Sequence, residues 1–220
     1  MKVFLVVDAQ KDFITGKLGS KAAQKAAPMI ANAIDIYRKN GYTICFTRDE
    51  HNDKDYSNTL ESKLYPAHCI TGTEGFELVA EIKDKVDPEN DMVFCKNTFA
   101  SADLANELIV TNDSDENDPI TEIVICGFCT DLCVLANATV LRTLFPDVKI
   151  KLLQNLCAGS NVAAHFSAIS IMHGMMITIG CFDPINTRVD YNFYSCSATE
   201  CEPANCNTCS KTSCACKSER

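Results

Sequence analysis

The chain has 220 residues, enough for one domain with a large core, and 46% hydrophobic against 22% charged residues places it among water-soluble globular proteins. A net charge of −9 argues against nucleic acid or an anionic membrane as the main partner, and leaves a neutral or cationic small molecule compatible. No apolar run reaches the ~20 residues of a membrane span, and Lys2–Val7 is too short for the apolar region of a signal peptide, so no membrane association and a cytoplasmic location are expected.

In chain order, Lys2–Val7 reads as a buried strand and Lys21–Asn40 as a helix ending at Gly41. Tyr42–Thr47 is a second strand. Asp49–Gly75 shows neither periodicity and is long for a connection, which marks a functional loop. Met92–Cys95 is a third strand, followed by a helix over Ser101–Val110 and an acidic loop at Asn112–Pro119. Glu122–Cys126 is a fourth strand that runs through Gly127 into a helix from Cys133 to Leu144. Val148–Leu153 and Met175–Gly180 are the remaining strands, with a helix over Asn161–His173 between them. Continuous apolar strands alternating with helices predict an α/β fold: a three-layer α/β/α sandwich around a central, mainly parallel six-stranded sheet of Rossmann-like type. Ligands of such sheets bind beyond the carboxyl ends of the strands.

The 14 cysteines fall into two groups. Eight are spread through the apolar segments and read as reduced thiols, while Cys196, Cys201, Cys206, Cys209, Cys214 and Cys216 crowd the end of the chain. The predicted division is one α/β domain over residues 1–190 and a cysteine-rich, flexible tail over 191–220. The tail has one C-x2-C pair and one C-x-C pair, the makings of a four-thiolate zinc site or simply a disordered thiol-rich segment.

Three strand ends carry reactive side chains: Asp8, Lys96 and Cys133. In a parallel sheet they share one edge and can converge. A thiol at a helix start is expected to lose its proton readily and attack a carbonyl. Asp8 could move the proton, Lys96 could keep Asp8 ionised, and the backbone N–H groups of Cys129 and Cys133 could hold the oxyanion. Each has a plainer alternative: a turn-forming Asp, an exposed Lys, an inert core Cys. In the irregular segment, Asp49, His51, Glu61 and His68 form a second constellation. Two imidazoles and two carboxylates suit one divalent ion of borderline character, zinc first and otherwise iron or manganese; the alternative is a pair of loop histidines bonded locally.

V-V-D-A-Q-K-D-F at Val6–Phe13, Lys96, and G-F-C-T-D-L-C-V at Gly127–Val134 together resemble the signatures of the isochorismatase-like cysteine hydrolases. T-R-D-E-H at Thr47–His51 and E-S-K-L-Y-P-A-H at Glu61–His68 resemble, more particularly, the metal loop of nicotinamidases. The resemblance covers residues 1–183. It implies a catalytic triad of Asp8, Lys96 and Cys133 and a metal held by Asp49, His51 and His68, with Glu61 as a fourth ligand. It also implies Phe13 and Tyr65 against a pyridine ring, a cis peptide at Phe128–Cys129, and hydrolysis of nicotinamide to nicotinate and ammonia in NAD salvage. Glu50 and Tyr65 stand where tryptophans are common in that family. The segment after Lys96, N-T-F-A-S-A-D-L, is shorter than usual, and the tail has no counterpart. Hydrolysis of another small amide, carbamoyl compound or enol ether, or a non-catalytic thiol or metal buffer, are the competing readings. Whether copies form a homo-oligomer, and whether Cys129 or Cys95 pairs with Cys133 under oxidation, are left open.

Overall fold

A computed structural model describes residues 1–114 and 118–184. The tail expected over 191–220, its cysteines and the middle of the acidic loop lie outside the described residues. Six strands, β1 (Lys2–Val7), β2 (Thr43–Asp49), β3 (Met92–Lys96), β4 (Glu122–Phe128), β5 (Lys149–Ala158) and β6 (Thr178–Gly180), form one sheet in the order β3-β2-β1-β4-β5-β6. Every pairing is parallel, so the sheet is wholly rather than mainly parallel. The helices are α1 (Lys11–Ile14), α2 (Lys21–Lys39), α3 (Asp53–Tyr56), α4 (Ala80–Lys83), α5 (Ala102–Ser114), α6 (Leu135–Leu144) and α7 (Val162–Gly174). Right-handed crossovers that first run outward to β3 and then back across to β6 put α2 on one face and α5–α7 on the other. Among the described residues no helix is long and apolar enough to cross a membrane.

The sheet is the core. Val3–Val7, Ile123–Cys126 and Leu152–Leu153 are at most 1% exposed, as expected of strands covered on both faces. The long helix α2 starts where the Ser20 side chain accepts the Ala23 N–H, buries Ala23, Ala27, Ile30 and Ile34, and stops before Gly41 at φ 75°. It continues through Pro28, where the burial of one whole face outweighs the lost N–H.

The order reverses between β1 and β4, and that switch point opens the crevice in which a doubly wound sheet binds its ligand. Gly127 is required there: a Cβ would lie 2.1 Å from Val7 O of the adjoining strand, and φ is 121°. The strand ends run further than the apolar pattern shows. Pairing of Arg48 with Cys95 and of Asp49 with Lys96 carries β2 and β3 onto polar residues. The helix expected from Cys133 begins instead at Thr130, as one widened π-type turn over Thr130–Val134 that leads into α6. Cys129 O accepts N–H groups from both Leu132 and Val134, so Cys133 lies inside that turn and not at its tip.

Candidate active site and metal centre

Asp8 is the first residue after β1. Its backbone takes the left-handed conformation at φ 47°, which for a residue with a Cβ costs about 1 kcal/mol. Neighbouring β2 holds it there: Asp8 N–H donates to Thr47 O at 3.1 Å and Thr47 Oγ1 donates to Asp8 Oδ1 at 2.7 Å. Lys96, at the end of β3, reaches back under the sheet edge. Its Nζ is 2.7 Å from Asp8 Oδ2, 3.4 Å from Asp49 Oδ1 and 3.6 Å from Cys133 Sγ. Asp8, Lys96 and Cys133 are all buried, so the plainer alternative for Lys96 does not describe it: this Lys is not solvent-facing.

Burial dominates the electrostatics. It pushes the Asp8 carboxyl up, with Lys96 opposing. Burial disfavours the Lys96 ammonium, yet Asp8, Cys133 and Asp49 outweigh it and raise that pKa. The Cys133 thiol is pushed well up, first by burial and then by Asp8, with Lys96 opposing. This corrects the expectation of a readily lost proton, which took account of a helix terminus but not of burial beside two carboxylates. Burial and the neighbouring carboxylates therefore favour the protonated thiol.

The second constellation also assembles. The ligand atoms of Asp49, His51, Glu61 and His68 all lie within 4.8 Å of one another. Asp49 Oδ2 is 3.0 Å from His51 Nε2 and 3.1 Å from His68 Nε2, and the Glu61 oxygens are 3.7 and 3.6 Å from the same two nitrogens. His68 Nδ1 lies 2.9 Å from Pro66 O, a contact that fixes the ring so that Nε2 faces Asp49 and Glu61. Burial would raise the Asp49 carboxyl, but His51, His68 and Lys96 together hold it well below the usual range. Two imidazoles and two carboxylates, three of them buried and all converging on one point, fit a borderline divalent ion.

The loop carrying these ligands is braced from outside. Gln10 donates to Asp49 O at 2.7 Å and accepts Asp49 N–H at 2.7 Å. His51 pairs its backbone with Cys69 and Thr71, and the buried Asp12 accepts the Cys69 N–H at 2.9 Å. The Tyr56 hydroxyl sits 3.1 Å from Pro66 O and 3.3 Å from His68 Nδ1. Short helices at Asp53–Tyr56 and Glu61–Lys63 give the segment regular structure that its sequence does not show.

Between the two constellations lies a cavity of about 260 Å³, walled by Phe13, Tyr65, Phe99 and Leu132 and floored by Cys133 and Asp49. Phe13, expected as a ring contact, also meets His68 edge-on with centroids 5.5 Å apart. The Phe128–Cys129 peptide is cis. Cys129 borders the cavity, and its thiol is pushed up to about 12 by burial and Asp131. Cys95 is exposed while its neighbour Lys96 is buried, so alternation along β3 turns the Cys95 thiol away from Cys133. Sequence reasoning missed Thr47, Gln10, Phe99, Asn137 and His165. Gln10 had a local signal inside the opening motif two residues past Asp8, Thr47 one at the head of T-R-D-E-H, and Phe99 one in the segment after Lys96.

Residues 2–181 match the isochorismatase domain family. The chain is 27% identical to a nicotinamidase of Saccharomyces cerevisiae over 173 residues, which is 63% of this chain and 80% of that one. Its fold superposes on the crystal structure of a nicotinamidase from Bacillus subtilis with a TM-score of 0.67 at 27% identity, covering 81% of this chain and 98% of that chain. It superposes on a Pyrococcus horikoshii pyrazinamidase in complex with zinc with a TM-score of 0.68 at 26% identity, covering 82% and 99%. The crevice at the β1/β4 switch point, the buried Asp8–Lys96–Cys133 cluster and the family match over most of the chain lead to one conclusion: this protein belongs to the isochorismatase family of hydrolases.

Proposed function

We propose that the protein is a metal-dependent nicotinamidase, a cysteine amidohydrolase that converts nicotinamide to nicotinate and ammonia for NAD salvage in the cytoplasm. One observation carries the reading: a cavity sized for a single small ring is lined at once by Cys133 of the first cluster and by Asp49, Glu61 and His68 of the second. In this reading Asp8 takes the Cys133 proton as Sγ attacks the carboxamide carbon. Lys96 keeps Asp8 ionised and stabilises the thiolate as it forms. The backbone N–H groups of Cys129 and Cys133 receive the oxyanion. Asp8 then delivers the proton to the departing amine and ammonia leaves; Asp8 draws a proton from the water that attacks the thioester, the C–S bond breaks to release nicotinate, and Asp8 returns that proton to Cys133 Sγ. Phe13 and Tyr65 pack on the ring. Asp49, His51, Glu61 and His68 would hold a divalent ion, zinc by preference with iron or manganese as alternatives. When bound, that ion supplies a Lewis-acid partner for the pyridine nitrogen and so fixes the ring's orientation.

The buried Asp8–Lys96 pair supports an enzyme over a thiol or metal buffer, because buffering has no use for a desolvated ion pair whose assembly is costly. The four-ligand cluster supports nicotinamide over an amide without a ring nitrogen. Ammonia release from nicotinamide tests the reading in three samples: the zinc-loaded protein, its Cys133→Ala variant and chelated protein. Release from the first is expected, none from Cys133→Ala, and release slower by at least about 100-fold after chelation. No release from the zinc-loaded protein overturns the activity, and release undiminished by chelation overturns the role of the metal.

A further inference from the structure

Phe99, on the segment between Lys96 and Ser101, forms part of the cavity wall and is 41% exposed. What holds this wall against the nucleophile is a residue on another element. Asn137, 2% exposed, lies on α6 one helical turn past Cys133. Its Nδ2 donates to Cys133 O at 2.8 Å and to Phe99 O at 3.2 Å, and its Oδ1 accepts the Ser101 N–H at 3.0 Å. Both amide donors and the acceptor are thus engaged. Asparagine is a poor residue for a helix interior, and its burial is unfavourable without such partners. Ser101 passes the constraint on, since its Oγ accepts Leu104 N–H at 3.1 Å at the start of α5. Asn97 and Thr98 are exposed, and the Thr98 hydroxyl donates within the segment, to Ala100 O.

We propose that Asn137 is a positioning and specificity-determining residue: by tying the Phe99 segment to the backbone of the nucleophile, it sets the width of the cavity above Cys133 and restricts it to an unsubstituted ring carboxamide. The proposal rests on the nicotinamidase reading above for its substrate. No contact between Asn137 and substrate is required, because it acts through Phe99. Loosening the tie lets the wall swing out, so the cavity accepts bulkier rings while losing its grip on nicotinamide. One methylene in an apolar pocket changes kcat/KM by roughly 10–200-fold, which makes the effect measurable.

The test compares kcat/KM for nicotinamide with that for ring-methylated and ring-ethylated nicotinamides in the zinc-loaded wild type, Phe99→Ala, Asn137→Thr and the double variant. Threonine retains a hydroxyl able to bond the carbonyl four residues back, so Asn137→Thr preserves the tie to Cys133 and loses the one to Phe99. Phe99→Ala removes a part-exposed side chain and leaves the fold intact. Each single variant is expected to shift the ratio toward the bulkier ring by about 10-fold, with the double variant shifting no further than either. An unchanged ratio in Asn137→Thr with a shifted ratio in Phe99→Ala overturns the tie. Unchanged ratios in both overturn the wall, and additive shifts overturn the coupling. Amide hydrogen exchange at Ser101 gives a readout that needs no activity. It is expected to quicken in Asn137→Thr while that of Leu108 in α5 stays slow, and equal exchange at Ser101 in both proteins overturns the proposal. A wild type that hydrolyses none of these amides overturns the nicotinamidase reading, and the exchange result still decides whether Asn137 holds the wall.

Discussion

The two halves of the site are built differently. Asp8 and Lys96 sit at the ends of sheet strands and Cys133 in the turn that follows a third, positions fixed by the same backbone ladder that makes the core. Glu61 and His68 sit on a long excursion between β2 and β3, held by side-chain braces from Gln10, Asp12 and Tyr56. They meet through Lys96 and Asp49, 3.4 Å apart. On the proposed reading the contrast is a division of labour: the strand ends carry the amide-cleaving groups, and the excursion carries the groups that select the ring.

Substitutions can break that division. Cys133→Ala is expected to lower kcat by about 10⁴-fold or more while leaving zinc affinity unchanged. Zinc titration with a chromogenic competitor checks the second half, and a large loss of affinity would show that the halves are not separable. In the other direction, His51→Ala is expected to reduce zinc affinity and kcat/KM for nicotinamide by at least about 100-fold. Alkylation of Cys133 by a small haloacetamide should proceed at close to the wild-type rate in that variant. Zinc added at about 100 times its Kd should also stabilise the wild type by roughly 2.7 kcal/mol and His51→Ala hardly at all.

A third test concerns the scaffold beneath the strand-end half. His165, on α7, is buried, and its Nδ1 lies 2.8 Å from Thr130 Oγ1 at the start of the turn that carries Cys133. Burial lowers its pKa to about 4, with Asp131 opposing. The unfolded chain takes up this proton near pH 6.5 and the folded chain only near pH 4. Stability from this group is therefore complete above about pH 6.5 and is lost as pH falls toward 4, by up to roughly 3 kcal/mol. Denaturant melts of the wild type and His165→Gln across this window should converge as pH falls, because only the wild type carries the slope. The smallest effect is expected at Cys129. With its thiol pushed up to about 12, Cys129→Ala should leave kcat within about twofold and the rate of inactivation by peroxide unchanged. A markedly slower inactivation would instead make Cys129 a redox partner of Cys133.

Much of this was legible in the residues, for reasons of locality. The apolar runs of β1 and β4 are buried on both faces and announce themselves. Asp8 follows directly on such a run, and Cys133 comes a few residues past another. Asp49, His51, Glu61 and His68 were legible as residue types, though the helices at Asp53–Tyr56 and Glu61–Lys63 were not, since single turns carry no periodicity. The widened turn at Thr130–Val134 was hidden because its chain continues smoothly into α6. Asn137 and His165 were invisible because their partners, Ser101 and Thr130, are distant in sequence. The upward push on the Cys133 thiol was hidden, because a helix-terminus argument contains no measure of burial.

Nicotinamide and benzamide present the same carboxamide on rings of the same size, and only the first has a nitrogen for the Asp49–His68 cluster. The most direct test is therefore the ratio of their kcat/KM values in the zinc-loaded protein, before and after chelation. The expected result is a preference for nicotinamide of at least about 100-fold that collapses on chelation, with the benzamide rate little changed. Equal rates for the two amides, or a preference that survives removal of the metal, would contradict the assignment of the strand ends to bond cleavage and of the excursion to ring recognition.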